Sequence, residues 1–157
     1  MIARVAIFIV LTIALTVTGL SAQPGDLSRT SPHPSLKPLD VVRIVMTALQ
    51  RNNVGGINSG ITITYNFASP ANKRMTGPLP RFISLVSGPV YGEMINHKGA
   101  SYEKVILEGQ NAQVDVIIRA VSGKFKGFRF TLSRQRGNAH EGSWMTDSVV
   151  PFNVTAT

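Results

Sequence analysis

Cysteine is absent from the 157 residues, which excludes disulfides, thiolate zinc sites and thiol nucleophiles. Only three His are present, too few for a multi-His metal centre, so no metal is expected. Acidic residues are scarce, with 8 Asp plus Glu against 16 Lys plus Arg, a net charge of +8. Charged residues make up 15% of the chain, too few for a coiled coil, and a hydrophobic fraction of 43% excludes a disordered polyelectrolyte. The sequence has no phosphate-binding glycine loop, no Ser-His-Asp set and no carboxylate pair at useful spacing, so no cofactor is expected. What remains describes one globular domain with a single core.

One long apolar run stands at the start. Arg4 forms a short positive region, Val5 to Leu15 is apolar apart from Thr12, and Gly19, Ser21 and Ala22 precede Gln23. This pattern predicts an export signal over residues 1–22 and hence a periplasmic, extracellular or lumenal protein. The competing reading is an uncleaved anchor, since Ile2 to Leu20 approaches the ~20 residues needed to span a bilayer. Membrane association is expected only in that case. Removing 1–22 leaves 15 basic against 8 acidic side chains, a net of +7. Residues 23–37 are rich in Pro and Ser without apolar periodicity and read as a flexible linker. The ordered domain is placed at 38–152. The tail 153–157 carries Asn153-Val154-Thr155, a glycosylation acceptor in a eukaryotic secretory route.

Leu39, Val42, Met46 and Leu49 recur at helical steps behind Pro38, and Asp40 sits in the favourable first turn. Residues 57–68 fit either period: Ile61, Ile63, Tyr65 and Phe67 alternate as in a strand, while Ile57, Ile61, Thr64, Tyr65 and Ala68 line one helical face. Phe82, Leu85 and Val86, then Tyr91, Met94 and Ile95, predict short helices on either side of Gly88-Pro89. From Ala100 the period becomes two, predicting strands at 102–108, 112–121, 125–134 and 143–149. Helices first and about four antiparallel strands afterwards define an α+β domain. Ala112, Val114, Val116, Ile118 and Ala120 share an apolar sheet face with Phe128, Phe130 and Leu132. Gln113, Asp115, Arg119, Arg129, Thr131 and Ser133 point the other way, with Ile117 and Val121 among them, and predict a homodimer through that open face.

Residues 67–82 read F-A-S-P-A-N-K-R-M-T-G-P-L-P-R-F. This resembles the F-A-S-P-x-N-R-x-x-T-G-P-L-x-R-F signature of the family known as domain of unknown function 4864. Pro89-Val90-Tyr91 and Trp144-Met145-Thr146-Asp147-Ser148-Val149 extend the similarity over about residues 38–150. Lys73 departs from the pattern, keeping the charge but losing the bidentate fork of Arg. The resemblance implies a nuclear-transport-factor-two-like domain (SnoaL-like, cystatin-like): a cone of helices packed on a bent antiparallel sheet. It also implies that 57–68 is a second helix. It supplies no reaction.

Enzymes with such cones use a buried Asp, His or Tyr as acid or base. Tyr65, His97, Asp115, His140 and Asp147 are the residues to weigh, with Asp147 and Tyr65 the foremost. The competing structural role for Asp147 is an ion pair with Arg81 or Arg119. Pro70, Pro78 and Pro80 predict an irregular segment whose free amides Asn72 would cap and Arg81 would tie to carbonyls. In a ligand-binding reading, Asn72 and Arg81 stand at the cone mouth and Phe128, Phe130 and Trp144 line its interior. The basic residues are scattered, so no nucleic-acid partner is expected. A non-catalytic module for a small apolar ligand or a protein partner leads; a cofactor-independent lyase or isomerase is the alternative.

Overall fold

The computed structural model describes residues 30–154, so the expected export signal, most of the expected linker and the end of the tail lie outside the described residues. The helical part comprises α1 (Pro38–Gln50), α2 (Ser59–Asn66), α3 (Pro70–Thr76), α4 (Leu79–Val86) and a 3₁₀ turn at Gly92–Met94. The sheet part follows as β1 (Gly99–Tyr102), β2 (Ile106–Glu108), β3 (Asn111–Arg119), β4 (Phe125–Arg134) and β5 (Trp144–Phe152). All ladders are antiparallel, in the order β1-β3-β4-β5 with β2 also paired to β3. The domain is therefore α+β.

Helix α1 begins where the Lys37 amide donates to the Asp40 carboxylate at 3.0 Å. It buries Val41, Val42, Val45, Met46, Ala48 and Leu49. Leu36 packs against the same core, so apolar packing starts two residues before Pro38. Residues 59–66 are helical, which resolves the ambiguous period. Tertiary packing decides it: Ile61 and Ile63 are buried by α1 and α4 rather than by a neighbouring strand.

Three expectations are corrected. The segment around Asn72 is helix α3, not an irregular stretch. Pro70 occupies a first-turn position, where a missing N–H is harmless, and Ser69 Oγ accepts from the Asn72 amide at 3.2 Å. The first strand divides into β1 and β2, each paired to a different part of β3, so the sheet has five strands among the described residues rather than about four. The last strand runs on to Phe152.

The alternation read in β3 and β4 holds. Ala112, Val114, Val116, Ile118, Phe128, Phe130 and Leu132 are buried on the inner face. On the outer face Asp115 lies opposite Arg129, which clamps its carboxylate with two hydrogen bonds of 2.8 Å. One irregularity matters for the site. Thr131 pairs with Ser148 and Leu132 with Thr146, leaving Asp147 with no residue opposite it. This β-bulge shifts the alternation of β5 by one. Its far side is held by the α2–α3 connection: the Thr146 amide donates to the Phe67 carbonyl at 2.9 Å and the Ser69 amide to the Thr146 carbonyl at 2.8 Å.

Candidate functional site

The helices do not fill the space above the sheet. An apolar cavity of about 310 Å³ lies between α1 (Val45, Leu49), α3, α4 (Phe82, Leu85, Val86) and the inner face of β4 and β5. Phe130 forms part of its floor, and Thr146 to Val149 one wall. Met75 and Leu85, 80% and 39% exposed, stand where the cavity meets solvent.

The bulge explains the chemistry of that wall. Strict alternation would aim only every second residue of β5 inward. The extra residue interrupts that alternation, and the consecutive residues Thr146, Asp147, Ser148 and Val149 all line the cavity. Thr146 is 5% exposed, and its Oγ1 is buried with no hydrogen-bond partner. Asp147 is half-buried, and neither ion pair of the described residues involves it. Those pairs are Lys126–Glu93 and Arg129–Asp115, so the expected partnership of Asp147 with Arg81 or Arg119 is not formed.

Of the other polar lining residues, Ser148 is exposed and its hydroxyl has no hydrogen bond among the described residues, while the remaining four are occupied. Asn72 Nδ2 donates to the Thr146 carbonyl at 3.1 Å, bracing the bulge from α3. Thr64 and Thr76 hydroxyls donate back to Gly60 and Asn72 carbonyls at 2.9 Å. The Tyr91 hydroxyl donates to the Val149 carbonyl at 3.1 Å.

Of the residues singled out in the sequence, Asn72, Phe130 and Asp147 line the cavity. Phe128 and Trp144 are buried in the core but do not reach it. Arg81 is exposed, with no hydrogen bond among the described residues, and the expected tie to loop carbonyls is not made. Its stem lies against Gly77. Tyr65 does not line the cavity; its ring meets Phe82 edge-on at 5.2 Å and carries the Lys73 ammonium 4.9 Å above it. Burial lowers the Lys73 pKa. Lys73 thus meets an aromatic face, for which the fork of an Arg is not required. His140 sits in the β4–β5 loop, where its amide donates to Asn138 Oδ1 at 2.8 Å. Asp115 faces away, clamped by Arg129. Thr146, Val45, Leu49 and Val86 were not singled out. The helical residues carry only a core pattern, and nothing in the residues around 146 signals a bulge.

His97 is buried between the 3₁₀ turn and β1, and its Nδ1 donates to the Met94 carbonyl at 2.8 Å. Burial lowers its pKa, opposed in part by that hydrogen bond. The unfolded chain therefore binds a proton near pH 6.5 that the folded imidazole resists. Stability contributed by neutral His97 is complete above that pH and is lost as pH falls below it. Melting curves between pH 8 and 5 are expected to shift downward with acidification, and His97→Gln to flatten the dependence.

Two substitutions separate the roles within the signature. Asn72→Ala removes the brace on Thr146 and is expected to cost about 1 kcal/mol. Arg81→Ala is expected to stay within about 0.5 kcal/mol, as at ordinary exposed sites. Paired thermal melts distinguish them.

Among the described residues, no three His, Asp or Glu side chains gather as a metal site, and no helix is long and apolar enough to cross a membrane. Fold and site together define an α+β domain with an apolar interior cavity and a polar bulge on its wall. Comparison with protein-family models, curated proteins and solved structures gives no match to this chain.

Proposed function

We propose that this domain is a non-catalytic binding module that receives a small apolar ligand in the cavity between its helices and the inner sheet face. The observation that carries the reading is the cavity itself. A volume of about 310 Å³, opening to solvent beside Met75 and Leu85, is at the lower end of small-molecule sites, ~300–1,000 Å³. The helices-then-sheet order and the signature at 67–82 support a nuclear-transport-factor-two-like domain of the family named above, in which such a cavity is the interior of the cone. Native mass spectrometry of protein purified from its host tests the reading, a retained small molecule being the expected result. Val86→Phe, which grows into the cavity from α4, is expected to abolish retention. It should hold or raise the melting temperature, since filling a void commonly adds ~0.5–2 kcal/mol. Equal retention by both proteins, or none by the parent, would overturn the proposal.

A second reading rests on Asp147. A carboxylate on the wall of an apolar cavity supports a general-base role in a cofactor-independent lyase or isomerase. Turnover of the retained molecule, lost in Asp147→Asn, would favour it. The proposal includes export, supported by Arg4 and the apolar run and tested by N-terminal sequencing of host protein. It also includes a homodimer through the outer sheet face, supported by Val150, 55% exposed opposite Arg129; Val121, expected on that face, lies in the turn after β3. A sedimenting species of monomer mass at micromolar concentration counts against the dimer.

A further inference from the structure

We infer that the cavity takes an apolar molecule with a hydrogen-bond-donating cationic head, a primary or secondary amine, received by Asp147 and Thr146. The inference rests on the binding reading above and specifies its ligand.

The argument is an inventory of donors and acceptors. In a chain with twice as many basic as acidic residues, no Lys, Arg or His among the described residues lines the cavity, and their one charged lining residue is Asp147. The donors of Thr64, Thr76, Tyr91 and Asn72 all serve protein carbonyls. What remains is the Asp147 carboxylate, which neither ion pair of the described residues uses, and the hydroxyls of Thr146 and Ser148, which accept as well as donate; the Thr146 Oγ1 is buried without a partner. A buried polar atom without a partner is rare in a folded domain, and one beside a half-buried carboxylate marks where ligand polar atoms would sit. An anionic head would meet a like charge and, among the described residues, no cation on the cavity lining. An ammonium gives Asp147 a charge-assisted hydrogen bond and Thr146 Oγ1 a donor, while its hydrocarbon part fills the space beside Val45, Leu49 and Phe130. The bulge is the device that makes this possible, because it interrupts the alternation of β5 where Thr146 and Asp147 both reach the cavity.

Calorimetric titration of the full chain with hexylamine, hexanol and hexanoate tests the inference. Hexylamine is expected to bind about tenfold more tightly than hexanol, the worth of one charge-assisted hydrogen bond, and hexanoate more weakly than both. Asp147→Asn, which keeps the shape, is expected to erase the advantage of the amine while leaving hexanol binding unchanged. Thr146→Val should weaken amine and alcohol together. Hexanoate binding as tightly as hexylamine, or an amine preference that survives Asp147→Asn, would overturn the head-group assignment and leave the cavity reading standing. Failure of all three probes to bind would overturn both. If Asp147→Asn does not fold, the order of the three probes on the parent chain still decides.

Discussion

Gly60→Ala is expected to destabilise the domain by about 3 kcal/mol, although helix propensity alone predicts a gain of about 1 kcal/mol. Gly60 lies in α2 where that helix crosses α1. A Cβ there would stand 2.1 Å from the Ala48 carbonyl oxygen and 2.9 Å from the Asn52 Cα. Both obstacles are backbone, so the two helices must separate, and the core between them cannot close again without strain. Urea unfolding should show a lower midpoint at unchanged slope. Gly127→Ala is the control. Its Cβ would meet the Phe152 ring at 2.3 Å, but a ring at the outer face can swing aside. A loss of about 1 kcal/mol or less is expected there. Equal losses at the two sites would refute the distinction between a backbone and a side-chain obstacle.

Asn52→Ala is expected to cost about 2–3 kcal/mol through the same junction. Asn52 is 3% exposed, and its Oδ1 accepts from the fully buried Ile61 amide at 3.0 Å. Its Nδ2 donates to Asn58 and Asn53 side-chain oxygens at 3.2 and 3.3 Å. Its own carbonyl accepts from the Gly60 amide at 2.9 Å and the Ser59 hydroxyl at 2.9 Å. One residue at the end of α1 thus satisfies the amides that open α2. Alanine leaves the Ile61 amide buried and unpaired. Asn52→Asp keeps the acceptor and loses the donors, so it should recover part of the loss. Combined with Gly60→Ala, the losses should fall short of additivity, because either change alone already opens the contact. Since α1 and α2 wall the cavity with Val45, Leu49 and Thr64, both variants should also weaken the ligand retention proposed above. A melting temperature unaffected by Asn52→Ala would show that the junction is not a stabilising unit.

Much of this architecture was legible in the residues. Helix α1 follows from Leu39, Val42, Met46 and Leu49 at helical spacing, because a one-sided apolar stripe can be buried in one way only. β3 and β4 follow from the alternation of Val114, Val116 and Ile118 and of Phe128, Phe130 and Leu132, because a period of two sorts side chains onto opposite faces of any sheet. Asp115 was readable as outward for the same reason. These are local consequences of chain geometry, and no partner is needed to state them.

Tertiary structure alone decided the rest. Residues 57–68 satisfy both periods, and only burial of Ile61 and Ile63 against α1 and α4 makes Ser59–Asn66 helical. The prolines at 70, 78 and 80 read as breakers, yet two of them open helices, since an N–H missing from a first turn costs nothing. Asp147 and Thr146 meet the same cavity because β5 slips by one residue against β4. That slip is set by pairing with Leu132 and Thr131 on one side and Phe67 and Ser69 on the other, more than ten positions away in either case. A bulge is a property of two chains in register, and the sequence of one strand does not contain it.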